Sequence, residues 1–217
     1  MVGKRDCRGG GRIALLILSA ALVADQALKL WVKTNMHLGE SIRVSGWFFI
    51  DFVENNGMAF GMTFGSKLLL SLFRIVAIAG IGYYLWKLVR SPHRIGFVAC
   101  VSMILAGAAG NMVDSMFYGL VFSESTYYNV SSFVDFGHGY APFLYGKVVD
   151  MFHFPLFTAT WPDWLPIVGG DEFEFFSPVF NFADACISVG ITLLVLFYRK
   201  DLDTLLHGRK DCADKET

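Results

Sequence analysis

Four apolar stretches, each about as long as the hydrocarbon core of a bilayer is thick, constrain this chain more than any other feature. They cover residues 13–31, 68–86, 95–118 and 180–198, and each meets the requirement of about 17–25 mostly apolar residues for a membrane-spanning helix. Basic residues give them a direction. Lys4, Arg5, Arg8 and Arg12 precede the first stretch; Lys87, Arg90 and Arg94 lie between the second and third; Arg199 and Lys200 follow the fourth. The long segments 32–67 and 119–179 hold only Lys33, Arg43, Lys67 and Lys147. Positive charge stays on the cytoplasmic side, so both termini are expected there and both long segments outside. The predicted fold is an α-helical integral membrane protein: four transmembrane helices, a small extracytoplasmic β-sheet and an extended outer loop, in one domain over residues 1–217.

The sheet is expected from residues 42–44 and 47–53, two apolar and β-branched runs broken by Gly46. Segment 119–179 reads as irregular, rich in glycine, proline and aromatic residues. Trp161 and Trp164 stand near Pro162 and Pro166, as aromatic side chains do at a membrane–water interface. A net charge of −1 with 17% charged residues gives no basis for nucleic-acid binding. Cys100 and Cys186 sit in apolar runs without metal-ligand spacing and read as small buried hydrophobes. No cleavable signal sequence is recognised at the N-terminus, since no small-residue cleavage site ends the first run.

Polar residues inside apolar helices are expensive, and here they converge. Spans one and three run outward, two and four inward. Asp25 lies six residues before Trp31, about 9 Å below the outer end at 1.5 Å per residue. Asn111 and Asp114 fall in the last third of span three, Asn181 and Asp184 in the first turns of span four, and Arg74 in the outer third of span two. All share one depth on one side. Asn111 and Asp114 are spaced to share a helix face, as are Asn181, Asp184 and Ser188. Gly107 and Gly110, in "LAGAAGN", leave room for a neighbouring backbone. Asp150, in "GKVVDMFHFP", occupies an apolar run too short to span, expected to dip against the outer mouth of the bundle and bring Asp150 toward Asp184.

Four segments occur in a telling order: "NNGMAFG" at 55–61, "GNMVD" at 110–114, "VVDM" at 148–151 and "FNFAD" at 180–184. With Asp25 near the outer end of the first span, this set resembles the lipoprotein signal peptidases, the bacterial signal peptidase II family of intramembrane aspartic proteases. The resemblance covers about residues 13–200. It implies a catalytic dyad of Asp150 and Asp184, with Asp25, Asn55, Gly57, Asn111, Asp114 and Asn181 supporting the dyad or holding substrate. It further implies cleavage of prelipoproteins just before a diacylglyceryl-modified cysteine, at the outer face of the bacterial inner membrane, with membrane lipids as the other partner and no cofactor or metal. Two departures stand out. Ser115 follows the "GNMVD" aspartate where the family commonly has arginine, and segment 119–147 and the 34-residue step from Asp150 to Asp184 are longer than in compact members.

Two nearby carboxyls divide one proton between them, so one can take a proton from water while the other donates to the scissile carbonyl. Other chemistries fit less well. A serine–lysine hydrolase would have to pair Ser115 with Lys147, a loop residue, and a metal site would have Asp150 and His153 but no third ligand. An ion-coupled transporter could use intramembrane acids, yet it calls for polar residues through the full depth and for repeats. Finally, residues 154–176, with aromatics and the Gly169 and Gly170 pair, are expected to form a hinged lid over bound lipopeptide.

Overall fold

The computed structural model describes residues 7–56, 67–90, 93–155, 157–175, 178–199 and 201–202. Helix α1 (Cys7–Asn35) leads into strands β1 (Ser41–Arg43) and β2 (Phe49–Asn55). Helices α2 (Lys67–Leu88) and α3 (Ile95–Val113) follow; α3 continues through a π-helical turn, Asp114–Tyr118, into the short α4 (Gly119–Val121). Strands β3 (Val148–His153), β4 (Phe157–Thr160) and β5 (Glu172–Phe175) precede the last helix, α5 (Phe182–Phe197). Among the described residues, three helices are long and apolar enough to cross a membrane: Gly9–Asn35, Lys67–Leu88 and Ile95–Val121. Leu15, Leu16, Val23, Phe73 and Val76 stand exposed on them, a surface that lipid can cover at no hydrophobic cost.

The fourth apolar helix is shorter than its 19-residue sequence window. At 16 residues it extends about 24 Å. Its start is delayed because Phe180 is held extended, bridged to Phe152 of β3 with Phe180 N–H donating to the Phe152 carbonyl at 3.1 Å. Conversely, α1 runs past its window to Asn35, and α3 with its continuation reaches Val121.

The chain divides into two compact units. One comprises Met1–Val23, Val76–Ala109 and Ala183–Thr217. Its core gathers Ala14, Leu85, Leu88, Phe97, Val98, Cys100, Val101 and Leu194 from four helices, and both Cys100 and Cys186 are buried free thiols, as the sequence leads one to expect. Close backbone approach defines the packing of α3 on α5. A Cβ at Gly107 would fall on the Ala183 carbonyl oxygen, and one at Gly190 would lie 2.7 Å from Cγ1 of Ile104.

The second unit comprises Ala24–Ile75 and Gly110–Phe182. Its core is Val32, Met36, Phe52, Tyr118, Phe122, Val149 and Met151. The sheet has the order β1-β2-β3, all antiparallel. Sequence reasoning found β1 and β2 but not β3: the Asp150 segment is a strand of this sheet, paired with β2. Segment 119–179 is likewise less irregular than expected, since β4 and β5 form a separate antiparallel hairpin. The stretch from 123 to 147 straps the end of α4. Gly137 N–H donates to the Leu120 carbonyl, Ala141 to Gly119, Tyr140 to Phe122 and Val134 to Val121, at 2.9–3.1 Å. These carbonyls are the acceptors that a helix end leaves without intrahelical partners.

The Gly107 contact yields an expected outcome. Gly107→Val should push α5 from α3 and destabilise the protein by about 1–3 kcal/mol, the usual cost of overpacking, read as a lower unfolding temperature of purified protein in detergent. Ala108→Val, one position on, serves as the control for added bulk.

Candidate active site

The site is built around a buried ammonium. Lys29 lies on α1, is fully buried, and has three N–H donors to place. Asp25 Oδ2 takes one at 2.9 Å, Asp114 Oδ2 another at 2.8 Å, and Asn111 Oδ1 the third at 2.8 Å. Asp25 and Lys29 are i,i+4 on one helix face; Asn111 and Asp114 come from the end of α3 and the start of the π turn. Gln26 closes the arrangement. Its Nε2 donates to Asp114 Oδ1 at 2.9 Å, while its Oε1 accepts from the Tyr118 hydroxyl at 3.2 Å.

From this cluster two lines of hydrogen bonds reach Asp150. Along the first, Asp114 Oδ2 accepts the backbone N–H of Val149 at 3.3 Å, which fixes β3 one residue before Asp150. Along the second, Asn111 Oδ1 accepts from Asn181 Nδ2 at 3.0 Å, and the same amide donates to Asp150 Oδ1 at 2.6 Å. Asn55 Nδ2 donates to Asp150 Oδ2 at 3.3 Å. Asp150 is 3% exposed, so its carboxylate is oriented by two side-chain amides inside a nearly dry setting.

Strand geometry explains why these residues meet. β2 and β3 pair Val53 with Asp150, and the register slips by one residue between Ile50 and Val53. A bulge of this kind bends the strand and re-aims the side chains next to it. The amides of Met151 and Phe152 both donate to the Phe180 carbonyl, at 3.1 and 2.7 Å, which delivers the next residue, Asn181, to Asp150. The π turn begins at Asp114; such turns insert a residue into a helix and often mark functional positions. Gly146 lies against it, its N–H bonded to the Ser115 carbonyl at 2.9 Å, and a Cβ there would collide with the Asp114 carbonyl oxygen.

Of the residues singled out in the sequence, Asp25, Asn55, Asn111, Asp114, Asp150 and Asn181 come together in this unit. Asp184 is half-buried in the first turn of α5, in the other unit. Gly57 lies outside the described residues. Arg74 Nη1 reaches Ser115 Oγ at 3.5 Å. Sequence reasoning missed Lys29 and Gln26, although "ADQALK" displays the signal: a lysine four residues after an aspartate, inside an apolar helix.

A second buried charge pair lies one turn further along α1. Lys33 bonds Glu54 Oε1, and Ser125 donates to the same oxygen at 2.8 Å. Lys147 reaches Glu54 Oε2 at 3.2 Å. Burial raises the Glu54 carboxyl, but the Lys33 ammonium and these hydrogen bonds more than offset it and hold the group below the usual carboxylate range. Burial likewise pushes the Tyr140 phenol up; its oxygen accepts the Lys147 backbone N–H at 2.7 Å. Ser115 donates instead to the Asn111 carbonyl at 3.1 Å, and His153 Nδ1 pairs with Asp51 at 2.6 Å. Neither the serine–lysine nor the Asp150 and His153 reading gains support from these partners.

Known proteins carry the same architecture. Residues 17–199 match the family model described as signal peptidase (SPase) II. The chain belongs to the signal peptidase II family. It is 50% identical over 208 residues to the lipoprotein signal peptidase of Porphyromonas gingivalis, covering 95% of this chain and 92% of that one. It is 39% identical over 197 residues to the lipoprotein signal peptidase of Amoebophilus asiaticus, covering 88% and 77%. A bacterial membrane enzyme solved by the in meso method at 2.3 Å resolution shares the fold, with a TM-score of 0.57 at 22% identity over 100% of this chain and 99% of that chain. The protein is a peptidase of this family, and the transporter reading falls away.

Lys29→Met tests the cluster. It leaves Asp25 and Asp114 buried without their cation, a change that costs about 3–5 kcal/mol, so unfolding in detergent should occur at clearly lower temperature. Adding Asp114→Asn should recover part of the loss, because one uncompensated charge goes with it.

Proposed function

We propose that this peptidase is an aspartic endopeptidase that removes the signal peptide from diacylglyceryl-modified prelipoproteins, cutting before the lipidated cysteine. Asp150 and Asp184 are its reacting carboxyls. The observation that carries the reading is the treatment of Asp150: a buried carboxylate held by Asn55 and Asn181, with Asn181 only three residues ahead of Asp184 in the chain. Asp25, Asn55, Gly57, Asn111, Asp114 and Asn181 serve as supporting or substrate-holding residues, and both units work as one domain.

In this mechanism one carboxylate is ionised and takes a proton from a bound water, which attacks the scissile carbonyl. The other carboxyl is protonated and donates toward the developing oxyanion; the roles reverse as the amine leaves. Two close carboxyls cannot both ionise cheaply, which keeps the required proton in the pair. The amides on Asp150 hold its oxygens in fixed directions, so little reorganisation is needed at the transition state. The distribution of basic residues supports insertion in the inner membrane with both termini in the cytoplasm and the site at the outer face.

Asp150→Asn and Asp184→Asn should each abolish cleavage of a lipid-modified precursor, with unfolding temperature and membrane insertion retained; near wild-type turnover by either variant would remove the aspartic mechanism. The acyl chains add about 0.8 kcal/mol of membrane affinity per buried CH₂ and hold the cysteine near the surface. Unlipidated precursor is therefore expected to be cut far more slowly, in a gel-shift assay with both forms at equal concentration.

A further inference from the structure

The hairpin of β4 and β5 ends in a tip that the peptidase reading does not use. Residues 164–168, "WLPIV", are five apolar residues in a row, preceded by Asp163 and followed by Gly169, Gly170 and Asp171. They are also conspicuously outside. Ile167 is 100% exposed and Trp164 is 79% exposed, and Trp161 and Val168 are exposed beside them.

The tip is not a loose loop. Trp161 N–H donates to the Asp171 carbonyl at 2.9 Å and Gly170 N–H to the Trp161 carbonyl at 3.0 Å, closing the base of the turn. Leu165 N–H donates to Pro162, Gly169 to Leu165 and Asp171 to Val168, at 3.0–3.1 Å. Both glycine amides are thus bonded, and a Cβ at Gly169 would sit 2.7 Å from the Asp163 and Leu165 carbonyl oxygens. The Gly169 and Gly170 pair, expected to act as a hinge, closes a tight turn in this structure. Ile167 takes a φ of 80°, a conformation that β-branched residues rarely adopt, and it places the side chain wholly outside the turn. Below the tip, Phe157 and Phe175 stack at 4.8 Å across the two strands.

We propose that this tip is a lipid-inserting finger, which buries Trp164, Ile167 and Val168 in the acyl region of the leaflet next to the hairpin. Lipid is the occupant that the chemistry selects. The contact residues are all uncharged and apolar, with no hydrogen-bonding side chain for a protein or peptide partner except the indole N–H of tryptophan, a group favoured at the headgroup level. The two aspartates rim the patch at the height where water begins. The finger lies between β3 and α5, and with helices α1, α2 and α3 crossing in turn it emerges on the same membrane side as the sheet. Residues 154–179 contain no Lys, Arg or His but include Asp163, Asp171, Glu172 and Glu174, so insertion is driven by apolar burial and is opposed by anionic headgroups. This inference does not depend on the assignment of the reacting carboxyls.

A nitroxide label on Ile167→Cys, in the full chain with Cys7, Cys100, Cys186 and Cys212 replaced by alanine, reports the answer in phosphatidylcholine nanodiscs. The finger predicts several-fold greater collisional access for oxygen, which concentrates in acyl chains, than for a water-soluble nickel chelate. Greater access for the chelate overturns the proposal. So does a label that neither reagent reaches, the result expected if the tip packs on protein as a lid or against a second copy. The native-cysteine chain gives an independent reading should the alanine background fold poorly. Brominated phosphatidylcholine should quench a substantial part of the tryptophan emission, and Trp164→Phe should remove a measurable share of that quenchable part. An unchanged quenchable emission in Trp164→Phe rejects insertion, and adding anionic lipid should lower quenching in the wild-type chain.

Discussion

One ammonium group holds the site together. Lys29 is fully buried, and its three donors go to Asp25, Asp114 and Asn111. Without those acceptors a charge at this depth would be prohibitively costly; without the ammonium, two carboxylates would face each other in a dry setting. The fit ties α1 to the end of α3. It also orients Asp114 toward the backbone of β3 and Asn111 toward Asn181. The placement of Asp150 is thus inherited from a cation that does not touch it.

The sheet completes what the helices begin. A strand offers backbone amides at fixed intervals, and β3 uses several. Val149 is bonded to Asp114, while Met151 and Phe152 are bonded to Phe180. The bulge in β2 sets which residues face Asp150, and Glu54, beside Asn55, is clamped by Lys33 and Lys147. The carboxylate of Asp150 is therefore braced from helix, strand and connecting segment alike. An arrangement of this kind holds a side chain within tight limits, because each support is itself packed or bonded.

Much of this was legible in the residues, and the rest was hidden for identifiable reasons. Apolar length sufficed for the helices, because lipid imposes a composition that local detail seldom overrides. The ordered motifs located Asp150 and the polar side chains around it. The strand character of 148–153 was not visible: "VVDMFH" is a short apolar run that reads equally as strand or helix segment, and its partner in β2 lies 95 residues away in the contact of Asn55 with Asp150. Lys29 was passed over because a lysine near a helix end ordinarily reaches toward headgroups, and only the three acceptors reveal that it turns inward. The bonding of the glycine pair in the hairpin was not legible either, since Gly169 and Gly170 N–H meet carbonyls of Leu165 and Trp161 that only the folded turn brings near.

The spacing of Asp25, Lys29 and Lys33 along α1 bears on how the protein is made. Asn111, the distant partner of Lys29, is separated from it by 82 positions in the chain and is synthesised well after α1 has left the ribosome. Asp25, one helical turn from Lys29, is on the same helix, so this ion pair needs no other element of the chain. Lys33 waits only for Glu54, 21 positions later. Within α1 itself Lys29 thus has one counter-ion, Asp25, and the end of α3 supplies the remaining acceptors, Asn111 and Asp114.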